Sequence, residues 1–253
     1  MNVLRPALVA GILLLAWAVL VRVTGIPPYI LPSPEAVLVT LVQQAPLLAF
    51  HGVRTLLEMV LGFALGAVLG MGAALILAGF RTARRWLLPL LVISQAVPVF
   101  ALAPVLVLWF GYGMASKVVM AGIVIFFPVT ASFYDGLRRT TPGWLDLARV
   151  MGGSPWSQLR RIRLPAALPS LASGLRVAAA VAPIGAVLGE WVGASAGLGY
   201  LMLHANARVQ TALMFAALTV LSLLSVTLYF VVDAVARRLL PWQPDQFPPD
   251  ERT

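Results

Sequence analysis

Asp146-Leu147-Ala148-Arg149-Val150-Met151-Gly152, then nine residues, then Ile162-Arg163-Leu164-Pro165, forms the centre of a polar stretch, 135–170, set between two long apolar runs. Leu145 to Met151 fits two helical turns, and Gly152-Gly153 ends them through the left-handed conformations open to glycine. Ser154 and Pro155 then read as N-cap and N1 of a second short helix, which Leu164-Pro165 is expected to stop. The stretch predicts a helix–turn–helix knob surrounded by arginines. An ordinary basic loop resting on lipid headgroups needs neither the Gly-Gly turn nor a second helix start.

The flanking runs state what the knob hangs from. Of 253 residues, 60% are hydrophobic and 11% charged, with mean hydropathy +0.93. A soluble domain is nearer ~45–50% apolar and ~25% charged and could not cover its surface with so few charges. Soluble enzymes, disordered proteins and disulfide scaffolds are excluded on that ground. At ~20 residues per span, the length allows roughly five to seven spans. The apolar runs give six, at about 6–23, 55–80, 86–110, 117–134, 171–192 and 211–235. The expected fold is all-α: one polytopic membrane domain, 1–253, with six transmembrane helices. The first run resembles a signal-peptide core but is long, ends in Arg22 and has no small-residue cleavage site after it, so it is read as retained. Ser33-Pro34 starts a short interfacial helix to Gln44, with Val37, Leu38, Leu41 and Val42 on one face. The tail after Trp242 is proline-rich and polar, and is read as flexible.

Charge supplies the orientation. Eighteen basic residues stand against nine acidic, and Lys117 is the single lysine. With the N-terminus inside, fourteen of the eighteen are cytoplasmic and four (Arg22, Arg54, Lys117, Arg208) are outside, a clear positive-inside bias. Both termini are then cytoplasmic. Arginines flanking apolar runs speak for a bilayer and against nucleic acid as partner. The chain has no cysteine, so thiolate metal sites and cysteine nucleophiles drop out. His51 and His204 lack ligand-like spacing, and no metal is expected.

Within the spans, Gly62, Gly66 and Gly70 form one ridge spaced by four, and Gly185, Gly189 and Gly193 form another. Such ridges let helix backbones approach closely in lipid, either to pack a bundle or to line a pathway whose helices shift; packing is the preferred reading. Pro98 and Pro104 in the third span, Pro128 in the fourth and Pro183 in the fifth predict kinks. Glu190 is a carboxylate inside the fifth span, where insertion costs about 2.5–3.5 kcal/mol. It either lines a pathway or serves structurally, pairing with Arg208 or with amides of the Gly-rich loop; the structural role is preferred. Gln95 is a candidate pathway amide. Glu58 with Arg54, and Asp233 with Arg237, read as local i,i+4 pairs. Lys117 reads as a snorkelling end-of-span residue.

The acidic-x-Ala pattern of Asp146 and Ala148, the glycine at Gly152 (followed by Gly153), and Ile162, Leu164 and Pro165 resemble the cytoplasmic EAA loop of ABC importer permeases. Asp146 stands for the usual Glu and Leu147 for the usual second Ala. Leu31-Pro32-Ser33-Pro34, the run Ala103 to Gly111, Gly189-Glu190-Trp191-Val192-Gly193 and Gly197-Leu198-Gly199-Tyr200 look like the nitrate/sulfonate/taurine branch of that family. The resemblance covers about 31–238, and 189–215 looks similar to permeases assigned to the thiamine pyrimidine precursor.

The resemblance implies a type I ABC importer permease fold in a bacterial inner membrane. It also implies a second permease subunit as a homodimer, two cytoplasmic ATPases and an extracytoplasmic substrate-binding protein. Asp146, Ala148, Gly152, Gly153, Ile162, Leu164 and Pro165 would couple to the ATPase. The chain has no G-x-x-x-x-G-K-[ST], so ATP-Mg belongs to the partner, and this chain binds no cofactor and catalyses nothing. A secondary transporter or channel would couple through buried carboxylates, for which Glu190 is the candidate. An intramembrane hydrolase would use His51 or His204 as base, but both are read in outer loops without a serine partner. The charge bias predicts that a reporter fused after Arg238 is cytoplasmic and one inserted near Ala205 lies on the opposite side. Both reporters on one side would exclude this topology.

Overall fold

Helix α1 (Leu4–Thr24) ends at Gly25, whose φ of 62° gives the left-handed stop. In the computed structural model, which describes residues 4–242 with side chains from Leu8, every element is helical. The tail read as flexible lies outside the described residues. Helix α2 (Pro34–Gln43) starts as expected: Pro34 sits in its first turn and the Ser33 hydroxyl accepts from Ala36 N at 3.2 Å.

Helix α3 (Ala45–Gly79) begins ten residues before the expected span at 55. Pro46 occupies its first turn, where a missing N–H has no partner to lose. At ~1.5 Å per residue its 35 residues reach about 52 Å, well beyond a hydrocarbon core of ~30 Å. The polar start therefore extends the helix past the lipid without breaking it.

The expected third span is not one helix. Helices α4 (Arg81–Ser94) and α5 (Val99–Phe110) meet at 101°. Gln95, Ala96 and Val97 donate three residues back, to Val92, Ile93 and Ser94, and Pro98 then takes an extended ψ of 116°. Proline disfavours helix in the residue before it and donates nothing itself, so the ladder ends here. Pro104, Pro128 and Pro183 by contrast lie inside continuous helices.

Helix α6 (Met114–Arg138) is the post around which the others stand. A Cβ on Gly62 would lie 2.4 Å from Ala121 Cβ, on Gly66 2.7 Å from Gly122 O and Ile125 Cβ, and on Gly70 2.9 Å from Phe126 O. Both residue numbers rise together, so α3 and α6 are parallel. Helix α9 (Leu164–Trp191) meets α6 with opposite sense: a Cβ on Gly185 would lie 2.6 Å from Ala121 Cα, and on Gly189 3.1 Å from Lys117 Cα. The two ridges thus press on opposite partners of one residue, Ala121. Gly174 against Ser132 and Gly136 against Ser170 continue the same seam. Gly193 lies beyond α9 and meets the Tyr112 ring.

Parallel α3 and α6 require one return crossing between them, and the bent α4–α5 pair is the only chain there. It therefore serves as one traverse. Helix α11 (Thr211–Leu239) packs Ala236 and Leu240 with Ala172 of α9. Among the described residues four helices, α3, α6, α9 (continuous with the stretch from Pro155) and α11, are long and apolar enough to cross a membrane, and the bent pair makes five. The first expected span, 6–23, lies within α1, a helix of 21 residues. Asp233 does pair with Arg237, at 2.9 Å, but it also takes Arg176 of α9 at 2.6 Å, so it clips two helices together.

The seam predicts opposite signs for one substitution on α3. Gly66→Ala forces a Cβ against backbone and should destabilise the protein by about 1–3 kcal/mol. Gly72→Ala meets nothing within 4 Å and gains up to about 1 kcal/mol of helix propensity. Thermal melting in detergent reads both; equal effects would mean that the seam is not close-packed.

Candidate functional site

The knob forms at the end of the bundle where α3, α6 and α11 finish and α9 begins. Helix α7 (Pro142–Val150) closes in a Schellman motif: Gly152 N donates to Arg149 O at 2.9 Å and Gly153 N to Ala148 O at 2.8 Å. Gly152 has φ 77°, which L side chains rarely adopt. A Cβ on Gly153 would lie 2.8 Å from Ala148 O, so this position also needs glycine, for space. Helix α8 (Pro155–Gln158) starts at Ser154, whose hydroxyl accepts from Ser157 N at 3.2 Å, and Gln158 Nε2 donates to Gly153 O at 2.9 Å. The turn between the helices is bonded from both sides. Asp146 pairs with Arg149 at 2.6 Å, but both are about two-thirds exposed and add little stability.

Leu164-Pro165 does not stop the second helix. Leu159–Arg163 forms a π-helical turn, Leu164 N donates to Leu159 O, and α9 follows without a break. The wider turn absorbs the donor that Pro165 lacks. Ile162 and Leu164 are half-buried in this junction and Pro165 is exposed. Arg163 Nε donates to Leu137 O at 3.0 Å, which ties the junction to the end of α6. The knob itself presents Leu147, Val150, Met151 and Trp156 to solvent, Val150 at 86% exposure. Four large apolar side chains are thus exposed together on an otherwise polar knob.

The opposite end holds a buried polar clamp. The expected Gly-rich loop after α9 contains a helix, α10 (Leu198–Ala207), entered through Gly197 at φ 124°. Its free N-terminal amides are taken up by side chains from two other helices. Glu190 Oε2 accepts from Gly199 N at 2.5 Å and Tyr200 N at 3.1 Å, and Glu190 Oε1 accepts from Thr55 Oγ1 at 2.6 Å. Thr55 Oγ1 accepts in turn from Leu198 N at 2.7 Å, and His51 Nδ1 from Gly197 N at 3.0 Å. A carboxylate at a helix N-terminus also meets the positive end of its dipole.

Several expected placements change here. Glu58 does not turn outward to Arg54; it is 3% exposed, close to Glu190, and its Oε2 is buried without a hydrogen-bond partner. Lys117 does not snorkel; it is 4% exposed, and its Nζ donates to Tyr112 O and Gly113 O, both at 2.9 Å. These carbonyls at the entry of α6 satisfy a cation that packing keeps from water. Neither histidine is in a loop: His51 lies in α3 and His204 in α10, and both rings contact Tyr200, at centroid distances of 5.9 and 4.0 Å. With His51 Nδ1 already accepting from Gly197, the ring serves the clamp. Glu190 takes loop amides, and Arg208 sits instead at the end of α10. His51, Thr55 and Glu58 repeat at i, i+4 and i+7, a polar face on an apolar helix that sequence reading had the means to find.

A model of the family described as binding-protein-dependent transport system inner membrane component matches residues 66–242. The chain belongs to that family. It is 56% identical to a probable ABC transporter permease protein of Haemophilus influenzae over 94% of this chain and 98% of that one. It is 38% identical to the formylaminopyrimidine transport permease protein ThiX of Halalkalibacterium halodurans, over 96% of this chain and 97% of that one. Its fold is similar to a chain of the MetNI methionine ABC transporter in an inward-facing conformation, with TM-score 0.68 at 21% identity, over 78% of this chain and 98% of that chain. The all-helical architecture is thus that of a type I ABC importer permease, an integral inner-membrane protein.

In this permease Gly62, Gly66 and Gly70 of α3 and Gly185 and Gly189 of α9 pack against α6, Gly193 does not, and Gln95 lies exposed at the α4–α5 elbow, its amide 3.4 Å from Ser94 Oγ. No group of three or more acidic or histidine side chains among the described residues is placed to hold a metal ion. The clamp yields a stability prediction. Glu190→Ala leaves Gly199 N and Tyr200 N without their acceptor, at about 1–3 kcal/mol for each buried orphan, while the Thr55 hydroxyl keeps His51 O at 3.3 Å. Melting temperature should drop and amide exchange at 197–200 should accelerate, with Glu190→Gln milder because it keeps one acceptor oxygen. Unchanged exchange in Glu190→Ala would remove Glu190 from the clamp.

Proposed function

We propose that this permease subunit imports a small polar solute, delivered by an extracytoplasmic binding protein and driven by ATPases docked on α7 and α8. One observation carries the reading: the bonded, apolar-faced knob runs into α9 without a hinge. The 28 residues of α9 span about 42 Å at ~1.5 Å each and end at the Glu190 clamp. A push on the knob therefore moves one rod whose far end holds α10. Arg163, bonded to the end of α6, carries part of the same displacement to the central post. Motion at one membrane face becomes rearrangement at the other, which is what alternating access requires.

In this reading the knob and both termini are cytoplasmic, and the clamp faces outward. Asp146, Ala148, Gly152, Gly153, Ile162, Leu164 and Pro165 form and seat the coupling surface, the ATP-Mg lies on the partner, and a second copy of the permease completes the pathway. Gln95, at the exposed elbow of the bent pair, is a pathway amide facing that second copy. Glu190 acts by positioning α10. The similarity to ThiX supports a thiamine pyrimidine precursor as the solute.

The test separates knob shape from membrane fold. Gly152 has open space around its missing Cβ, so substitution acts through φ alone. Gly152→Val should insert and melt like the parent, yet lose most of the ATPase stimulation by loaded binding protein in the reconstituted complex. Gly152→Asn, which tolerates positive φ, should keep it. Parental stimulation in Gly152→Val would mean that this surface does not couple.

A further inference from the structure

Beneath the knob, a cavity of about 640 Å³ opens between the end of α6, the first turn of α7 and the beginning of α9. Arg139 and Arg161 line it, with Trp144 and Trp242 beside them and Pro165 and Pro169 in its wall. Its charge is unbalanced. Arg139 shares Asp135 with Arg138, at 3.8 and 3.4 Å, and Arg161 has no carboxylate within ion-pair distance among the described residues. The segment 135–170 as a whole carries six arginines against two aspartates. Two guanidiniums on one cavity match phosphate oxygens by paired N–H donation. Tryptophans half-exposed at the ends of spans favour the headgroup level of a bilayer, with an apolar body and a polar edge.

We propose that this cavity is a binding site for the phosphate of an anionic phospholipid, from the leaflet on the knob side. The lipid is favoured over a soluble phosphate because the walls are indole and proline and the cavity opens where α6 and α9 leave the membrane. Arg139 and Arg161 hold the phosphate, while Trp144 and Trp242 flank the glycerol. The occupant bridges α6, α7 and α9, so it stiffens the joint through which the knob moves. The proposal rests on the orientation proposed above only for naming the leaflet, which is then the anionic cytoplasmic one.

The full chain, purified in detergent, is titrated with phosphatidylglycerol and with phosphatidylcholine, and lipid retention is read by native mass spectrometry. Phosphatidylglycerol should be retained preferentially. The Arg139→Gln/Arg161→Gln double variant should lose that preference by about tenfold or more. Arg160→Gln, beside the cavity but not lining it, should retain it. If the glutamine pair fails to fold, Arg139→Lys/Arg161→Lys carries the test, since it keeps both charges and loses the forks. Undiminished preference in a folded double variant overturns the site. Inorganic phosphate that displaces the lipid at equal concentration overturns the lipid assignment in favour of a soluble anion. Neither result touches the importer reading, which is tested by Gly152→Val.

Discussion

The structure depends on how closely two backbones, those of α3 and α9, approach α6. In lipid there is no hydrophobic gain from bringing one apolar helix to another, so contact must come from van der Waals fit between small residues. Ala121 is the narrowest point: Gly62 from α3 and Gly185 from α9 both come within distances that admit no Cβ. That closeness aligns α3 and α6 in parallel and α9 against them. It also leaves the bent α4–α5 pair as the single return between the first two. With that register set, His51, Thr55 and Glu58 of α3, Lys117 of α6 and Glu190 of α9 necessarily meet at one end.

What meets there is expensive to bury alone and acceptable together. The Glu190 carboxylate, the Thr55 hydroxyl and the His51 ring between them take four consecutive amides, Gly197 to Tyr200, the donors a helix start leaves free. The groups that take these amides also bond one another, Thr55 to Glu190, so the network holds α10 in place in surroundings with little water, while Glu58 Oε2 beside it is left without a hydrogen-bond partner. The knob at the other end solves a different problem by backbone means. A left-handed glycine, a Schellman pair and a serine cap give a turn of one shape without any buried core. Helix α9 joins the two ends, and the π turn at Leu159–Arg163 is what makes it continuous.

That turn shows where sequence reading reached its end. Gly-Gly, Ser-Pro and their spacing are local signals, and they placed the knob, its first helix and its second start. Leu164-Pro165 was read by the same local rule as a stop. The rule fails because a π turn, held through Arg163 to the α6 terminus, removes the clash that the rule assumes. Pro98, by contrast, does more than the kink expected of it and divides the third span into two helices, at an elbow whose residues 94–98 are all exposed. The Gly-rich loop hid α10 for a related reason: its helix start is stabilised by side chains from α3 and α9, far away in sequence.

The sequence by itself determined membrane residence, the apolar helices, the glycine ridges and the knob, because hydropathy, small-residue spacing and turn chemistry act over a few residues. Only the tertiary structure decided that Glu58 is buried instead of pairing outward with Arg54, that Lys117 turns inward to Tyr112 and Gly113, and that Asp233 bridges two helices. Asp233 keeps its local partner Arg237 and gains Arg176 from α9, Lys117 is held by carbonyls four and five residues before it where α9 packs over it, and Glu58 is buried by helices far away in sequence. Packing between helices distant in sequence decides which of these groups lose water, and local spacing does not record it.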